Sequence, residues 1–500
     1  MKNSHFKPFF VLLLIGFISF NCSKDNDSSS FESEVITLDN EINDFVWSGM
    51  NEIYLWQDDV DNLSDNRSRK QDDYYTFLNT YDTPESLFDD LLYQKDVVDK
   101  FSYLVDDYVE LENSLQGTSK TDGLDFGIVR LGNSDDLFGY VRYVANGSNA
   151  ATKDIKRGDF FITVDGQQLT TNNYIDLLFG SIDTYTLGMA DITNNAISPN
   201  GKTVELTKSE FTENPILTNK TIDADGIKVG YLMYNRFVDN FDNALNDVFT
   251  QLKADGINEL VLDLRYNPGG FVSSAIILSS MITGQFTGDV FSTEVWNTRY
   301  QSYFESNDPE SLISRFTDKL SDNSTLTSLN LNKVYVLTTR SSASASELVI
   351  NSLNPYIDVV QIGTNTTGKY TASVTLYDSE NYLRDNANPN HKYAIQPLVF
   401  KSVNKNGVSD YFNGLTPDHL ITYQTSSGSI VEGENLLNLG ELGNVNEPFL
   451  EKALSLITGS TSKSSNEKQS EYLGVEVENI KDSKDFTPLG KGMYTTLKLK

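Results

Sequence analysis

A serine-rich run and a lysine that follows it are the residues of this chain most suited to chemistry. The run spans residues 341–347 with the sequence SSASASE, and Lys369 follows Ser344 by 25 residues. A serine hydroxyl is a poor nucleophile until a neighbouring base takes its proton. Because the chain has only 3 histidines, a lysine is the first base to consider for Ser344.

Lys369 can act as a base only if it is neutral. An ordinary lysine pKa of about 10.4 must fall by about three units for that role, which burial in a core can achieve. We therefore expect Lys369 to be buried. The alternative is an exposed strand lysine, preceded by a Ser/Ala run that merely caps a helix.

A second segment, residues 263–270, could stabilise negative charge on a substrate. Its sequence DLRYNPGG predicts a buried strand that ends in a tight turn. The N–H groups of Gly269 and Gly270 are not covered by side chains, so they could form an oxyanion hole, where one donor contributes about 2.7–4 kcal/mol. By itself, however, Asn-Pro-Gly-Gly is only a turn signal.

Predicted strands and helices alternate around these two segments. The strands are 227–232, 260–265, 333–339 and 359–362, and the helices are 241–252, 272–281 and 347–353. This alternation favours an α/β core with crossover connections, which we assign to residues 213–458. Ser344 would then lie on a bend between a strand and a helix, where the helix N-terminus favours negative charge on a substrate oxygen.

Two further regions precede this core. Apolar residues three and four apart over 41–56, a Thr83-Pro84 helix start and a continuation over 101–111 predict a helical domain at residues 40–114. From Gly123 the pattern changes to the alternation typical of strands, which predicts a β-rich domain at residues 115–212.

The β-rich region resembles a PDZ domain of the kind inserted in bacterial proteases, above all in the stretch Gly-Asp-x-x-x-x-Val-Asp-Gly that begins at Gly158. The resemblance implies that Leu124, Asp125, Phe126 and Gly127 form a peptide-binding loop whose backbone N–H groups face a peptide's terminal carboxylate. Asp125 would repel such an anion, so peptide binding is favoured over carboxylate capture.

The order of the regions and the two motifs closely resemble the C-terminal processing, or tail-specific, serine proteases over residues 40–455. The motifs are Asp-Leu-Arg-x-Asn-x-Gly-Gly and Ser-Ala-Ser-Ala-Ser-Glu. The resemblance implies an α+β multidomain protein with an N-terminal helical bundle, a PDZ-like β-rich domain and an α/β protease core of the crotonase-like ββα type. It also implies a serine endopeptidase that acts on protein or peptide substrates, which the PDZ-like domain binds or gates.

The same resemblance implies a role for each residue of the motifs. Ser344 would be the nucleophile of an acyl-enzyme mechanism and Lys369 its general base. The N–H group of Ala345, with that of Gly269 or Gly270, would form the oxyanion hole.

Two positions depart from the family pattern. Ser373 stands four residues after the lysine, where a glutamine commonly orients it, and Pro355 stands eleven residues after the nucleophile, where an aspartate is common. An alternative is therefore a catalytically weak or inactive protease-fold lipoprotein that binds peptides. A second alternative is a Ser/His/Asp triad that uses the adjacent Asp418 and His419.

The N-terminus resembles a bacterial lipoprotein signal. Lys2 and Lys7 precede an apolar stretch at 9–20, which is too short to span a bilayer and ends just before Cys22. We expect a signal peptide at 1–21 and a tether at 22–39. Lipidation of Cys22 would anchor an exported protein in the cell envelope, at the periplasmic or the surface face of the outer membrane.

Composition restricts the remaining possibilities. Cys22 is the only cysteine, which excludes disulfides and thiolate metal sites from the folded part. The formal charge of −31 argues against nucleic acid as a partner, and no motif indicates a metal or other cofactor. The tail at 459–500 has no assigned role, and the sequence predicts no oligomeric state.

Overall fold

The computed structural model describes residues 36–193, 196–425, 428–460, 477–486 and 490–497. Its N-terminal region contains helices α1 (Glu41–Ile53), α2 (Gln71–Leu78), α3 (Pro84–Asp90) and α4 (Tyr108–Leu115), and strand β1 (Tyr103–Val105). Thr83 caps α3 through the backbone N–H of Ser86, with Pro84 in the first turn, which confirms the predicted helix start. The predicted helix over 101–111 is wrong in its first half, because β1 pairs there with the core.

A β-rich domain follows. Its elements are β2 (Thr118–Thr121), β3 (Leu124–Leu131), β4 (Leu137–Val144), β5 (Phe160–Val164), β6 (Gln167–Gln168), α5 (Tyr174–Phe179), β7 (Thr184–Thr193), β8 (Ala196–Thr207) and β9 (Ser209–Thr212). Apolar side chains of the sheet and of α5 form a separate small core. We call residues 118–212 the inserted β domain.

The third region holds most of the helices and strands. Its first part contains β10 (Ile216–Ala224), β11 (Ile227–Tyr234), α6 (Asp242–Asp255), β12 (Glu259–Asp263), β13 (Gly269–Phe271), α7 (Val272–Thr283), β14 (Val290–Trp296), α8 (Thr298–Asn307) and β15 (Ile313–Arg315). Its second part contains β16 (Lys333–Thr338), α9 (Ala345–Leu353), β17 (Asp358–Gly363), β18 (Thr371–Ser373), β19 (Leu376–Tyr377), β20 (Ala394–Gln396), β21 (Leu398–Val403), β22 (His419–Leu420), β23 (Thr422–Gln424), β24 (Ile430–Glu432) and α10 (Pro448–Thr458). The C-terminal tail adds β25 (Val477–Asp482) and β26 (Gly492–Tyr494).

A six-stranded sheet forms the centre of this region, in the order β10-β11-β12-β16-β17-β22. Every pair from β11 to β22 is parallel, and helices α6, α7 and α9 lie in the connections from β11 through β12 and β16 to β17. The α/β arrangement predicted from the alternating pattern is therefore present. Because β12 and β16 are neighbours, the turn after β12 and the bend after β16 emerge at the same edge of the sheet.

The C-terminal tail belongs to two sheets. Strand β26 lies between β13 and β18 in a second six-stranded sheet of order β13-β26-β18-β21-β14-β15. Strand β25 forms the outer edge of the sheet of the inserted β domain, in the order β25-β3-β4-β5-β7-β8.

One apolar core joins the N-terminal helices to the third region. It includes side chains of α1, α6, α7 and α9 together with those of the parallel strands. Helix α7 is buried on nearly all sides, as expected for an element between layers. In the described part of the chain, no helix is both long and apolar enough to cross a lipid bilayer.

Candidate active site

Ser344 lies on the bend between β16 and α9, as predicted. Its backbone has φ 65° and ψ −113°, a conformation that is rare for any residue except glycine. Strain of this kind costs about 1–3 kcal/mol and persists where the surrounding structure enforces it. The Ser344 side chain is buried, and its Oγ has no hydrogen-bond partner among the described residues.

The glycine turn after β12 faces this bend. Gly269 and Gly270 have φ angles of 112° and 138°, and a Cβ on Gly269 would stand 2.6 Å from Ser344 Cβ. A Cβ on Gly270 would stand 2.0 Å from the carbonyl oxygen of Phe237. Both positions therefore require glycine, and the turn packs directly on the serine.

The side chain of Asn267 decides between the two glycines. The Gly269 N–H donates to Asn267 Oδ1 at 2.9 Å, so this N–H is already used inside the turn. Gly270 N–H is the glycine donor that remains for an oxyanion. Ala345 begins α9, where the first N–H groups lack an intrahelical acceptor, so its N–H is the second candidate donor.

Lys369 is fully buried, which excludes the exposed lysine considered above. Burial lowers its pKa to about 7, although the charges of Asp99 and Glu347 oppose that shift. Its Nζ lies 5.0 Å from the centre of the Phe101 ring. A lysine in this environment can be neutral near neutral pH, as a general base must be.

In this structure Lys369 Nζ donates to the carbonyl oxygen of Lys491, at 3.1 Å, and not to Ser344 Oγ. Lys491 belongs to the C-terminal tail, next to strand β26. The tail therefore occupies the space beside the serine and the lysine.

Comparison with known proteins assigns this arrangement to a family. The family model for peptidase family S41 matches residues 228–421, and the model for the peptidase S41 N-terminal domain matches residues 41–103. This chain belongs to peptidase family S41. The first match contains the serine bend, the glycine turn and the lysine, and the second contains helices α1 to α3.

Named relatives support the S41 assignment. A carboxyl-terminal-processing protease from Picosynechococcus is 27% identical over 238 residues, which are 45% of this chain and 49% of the relative. A carboxy-terminal-processing protease from Bartonella bacilliformis is 28% identical over 249 residues, which are 46% and 49% of the two chains. The chain thus spans about half the length of these curated relatives.

A crystal structure of a Bacteroides fragilis protein assigned to the S41 proteases covers more of the chain. It has a TM-score of 0.64 and 25% identity, over 83% of this chain and 97% of that protein. The structural similarity therefore covers more of the chain than the two family models match.

Glu347 is a site residue of this S41 chain to which sequence reasoning gave no role. Its Oε2 accepts from the N–H groups of Ser344 at 2.7 Å and Lys369 at 2.9 Å, and its Oε1 accepts from Gly368 N–H at 2.6 Å. One buried carboxylate thus fixes both candidate catalytic segments. Its position at the end of the SASASE motif was the available signal.

The two departures from the family pattern have different surroundings. Ser373 lies in β18, and its Oγ donates to the carbonyl oxygen of Met493 in β26 at 3.3 Å. Pro355 follows the end of α9. Ser373 therefore contacts the strand that fills the site.

The alternative triad does not match the contacts of its aspartate. Asp418 Oδ2 accepts from the N–H of Gln361 in β17 at 2.8 Å, and His419 starts β22 beside Ile362. Asp418 thus holds the edge of the parallel sheet, and the Ser/His/Asp alternative loses its orienting group.

The four residues predicted to form a peptide-binding loop lie in a strand instead. Leu124, Asp125, Phe126 and Gly127 belong to β3, where Gly127 pairs with Asp482 of the tail. The resemblance to a PDZ domain implies a loop at these residues, but they pair with β4, and Gly127 also pairs with β25, so they are part of an extended strand. In this structure the tail strand β25 therefore occupies the edge of β3 that faces away from β4.

The carboxylate of Asp125 is neutralised. Arg142 is buried and forms ion pairs with Asp125 at 2.5 Å and with Asp482 at 3.2 Å. The repulsion expected from Asp125 is therefore partly offset, because the Arg142 guanidinium lies between the two carboxylates. A groove of about 840 Å³ opens beside this contact and is lined in part by residues 123–126, Phe179 and Arg236.

The remaining sequence predictions concern lipidation and metal binding. Cys22, the predicted lipidation site, lies outside the described residues. Within the described ranges, no cluster of three or more histidine, cysteine, aspartate or glutamate side chains could hold a metal ion.

Proposed function

We propose that this protein is a serine endopeptidase of the C-terminal processing type that uses Ser344 and Lys369. Two observations carry the proposal. Ser344 has a strained backbone and a hydroxyl with no partner among the described residues, and the carboxylate of Glu347 joins its backbone to that of Lys369, a buried lysine whose pKa is lowered to about 7. Relatives named as carboxyl-terminal-processing proteases support the same reaction class.

The reaction proceeds through an acyl-enzyme. Neutral Lys369 takes the Ser344 hydroxyl proton as Oγ attacks a peptide carbonyl carbon, and the N–H groups of Gly270 and Ala345 stabilise the oxyanion. The lysine then returns the proton to the leaving amine, which releases the C-terminal fragment. Water hydrolyses the ester and regenerates the serine.

The inserted β domain serves as a PDZ-like binding module. An extended peptide takes the place of β25 at the edge of β3, next to residues 124–127, and is held by main-chain hydrogen bonds. Arg142 lies beside that edge, so acidic groups on the peptide are accepted there. The Asp482 carboxylate, which pairs with Arg142, occupies the position that such a group would take.

Replacement of the serine tests the enzymatic activity. Ser344→Ala should abolish cleavage of a permanently unfolded reporter protein, measured by mass spectrometry of its fragments. Ser352→Ala is the matched control, because it removes a buried serine hydroxyl of α9 that also has no hydrogen-bond partner in the described part of the chain, and it should cleave like the wild type.

The rival is a protease-fold lipoprotein that binds peptides without cutting them. Equal fragment yields from wild type and Ser344→Ala would contradict the enzyme and favour this rival. If the rival is right, the wild-type protein binds an unfolded peptide saturably. If the enzyme hypothesis is right, Ser344→Ala binds the peptide and leaves it intact.

We also propose export and attachment to the cell envelope through a lipid on Cys22. The sequence of the N-terminus supports this assignment. Metabolic labelling with a fatty acid should mark the wild type and not Cys22→Ser, and label retained by Cys22→Ser would refute an anchor at this cysteine.

A further inference from the structure

The C-terminal tail enters the candidate active site as an extended strand. Strand β26 pairs in parallel with β13 on one side, with Gly492 opposite Gly269 and Met493 opposite Gly270. On its other side Tyr494 pairs with Ser373 of β18. Gly492, Met493 and Tyr494 are buried, so the strand fills the gap between β13 and β18.

The carbonyl groups on either side of Gly492 are held by other residues. Lys369 Nζ donates to the Lys491 oxygen at 3.1 Å, and Ser373 Oγ donates to the Met493 oxygen at 3.3 Å. The backbone N–H of Thr495 adds a bond to the Ser373 oxygen at 3.1 Å. These contacts fix the direction and register of the strand around Gly492.

The Gly492 carbonyl oxygen lies beside Ser344. This oxygen is 2.5 Å from the point where a Cβ of Gly269 would stand, and Ser344 Oγ lies 2.9 Å from the same point. The neighbouring N–H groups of β13 have other acceptors, because Gly269 donates to Asn267 Oδ1 and Phe271 donates to the Phe237 oxygen. Gly270 N–H is therefore the donor next to the Gly492 oxygen.

The preceding part of the tail is docked on the inserted β domain. Strand β25 pairs antiparallel with β3, and Asp482 forms the ion pair with buried Arg142. The Phe486 ring stacks on Phe179 with 3.9 Å between centroids. Lys484 Nζ donates to the backbone carbonyl oxygen of Tyr266 at 2.9 Å. The tail thus follows both halves of the path proposed for a substrate.

We infer that the protein cleaves its own C-terminal tail, at the peptide bond between Gly492 and Met493. This inference rests on the proposed protease function. Ser344 Oγ forms an ester with the Gly492 carbonyl carbon while the bond to Met493 nitrogen breaks, and Lys369 carries the serine proton to that nitrogen. The fragment 493–500 leaves, and water hydrolyses the ester to give a new C-terminal carboxylate on Gly492.

The test follows the intact mass of purified full-length protein over time, beside cleavage of an unfolded reporter in the same sample. We expect the wild type to lose residues 493–500 at a rate that is independent of protein concentration, and Ser344→Ala to keep them. A wild type that cuts the reporter and keeps its tail would overturn self-cleavage and leave the protease function standing. A sample that cuts neither would refute both.

Two further experiments test whether the tail is cleaved within its own molecule and from the docked position described above. Ser344→Ala mixed with wild type should stay intact, because the reaction is intramolecular, and trimming of Ser344→Ala by the wild type would contradict that. Phe486→Ala removes the ring stack without touching Gly492, and we expect it to slow self-cleavage at least tenfold. An unchanged rate would show that docking of β25 does not deliver the tail.

Discussion

Lys369 has an ionisable amine in a fully buried position, and burial disfavours the charged form of that amine. Its pKa in the folded protein is lowered to about 7 by burial. The unfolded chain then binds more protons than the folded chain between about pH 7 and 10.5, so stability rises with pH across that window. At lower pH the buried charge costs on the order of 4 kcal/mol, which the rest of the fold must offset.

Lys369→Met should therefore stabilise the protein while it abolishes activity. The gain in melting temperature should be larger at pH 6 than at pH 9.5, because the wild-type lysine is charged when folded only at the lower pH. Lys401→Met, at a partly exposed lysine of β21, is the control and should show no such pH dependence. Equal gains at both pH values would contradict a buried lysine that titrates near neutrality.

Glu347 should influence the lysine through its charge as well as its hydrogen bonds. Wild-type kcat/KM should rise with pH through about 7 and then level off, as Lys369 loses its proton. Glu347→Gln removes a negative charge that raises the Lys369 pKa, so the midpoint of the profile should move to lower pH while kcat falls and KM changes little. An unchanged midpoint would limit Glu347 to a structural role.

At the scale of elements, the site depends on three short segments: the glycine turn, the serine bend and the segment before β18 that bears the lysine. Asn267 connects the first two, because its backbone oxygen accepts from Ala343 N–H and its side chain caps Gly269. Glu347 connects the second to the third. Because each segment is short, these polar contacts set its backbone geometry more than the secondary-structure propensity of its residues does.

Gly270→Ala should damage both folding and catalysis. The added methyl would stand 2.0 Å from the Phe237 oxygen, so the turn must shift and its N–H must leave the oxyanion position. Gly288→Ala is the control, because its φ of 87° is also positive but nothing lies within 4 Å of the new methyl, and it should cost only about 1–2 kcal/mol. Similar melting temperatures and kcat values for the two variants would contradict the packing of the turn.

The sequence predicted those elements whose pattern is local. Strands β11, β12, β16 and β17 and helices α6, α7 and α9 have periodic apolar residues, and the structure contains each near its predicted bounds. Strands β13, β18 and β26 were not predicted as such, because they are only 3 residues long each and are stabilised by distant partners. For the same reason the choice between Gly269 and Gly270 stayed open until the contact with Asn267 was known.

At the scale of the whole molecule, a buried ionic network joins the inserted β domain to the segment that ends in the glycine turn. Arg157 of that domain pairs with Glu434 at 2.6 Å and donates to Tyr266 Oη at 2.7 Å. Arg265, which is fully buried within the turn segment, pairs with Asp263, Glu434 and Glu447. A movement of the inserted β domain would therefore strain the segment that bears the proposed oxyanion donor.

Arg157→Met should weaken this connection strongly. Removing one partner of a buried ion pair typically costs about 3–5 kcal/mol, because a charge stays behind without compensation. Arg130→Met, in the same domain, breaks a more exposed pair with Glu478 and should change stability by about 1 kcal/mol or less. Urea unfolding measures both, and equal losses would show that the network does not connect the two regions.

The nucleophile can be identified directly with a serine-reactive fluorophosphonate, whose adduct is located by peptide mass mapping. We expect a single adduct on Ser344 of the wild type, formed at a rate that rises with pH through about 7, and almost no adduct in Lys369→Met. Labelling of a different residue, or labelling of Lys369→Met at the wild-type rate, would contradict the Ser344 and Lys369 dyad.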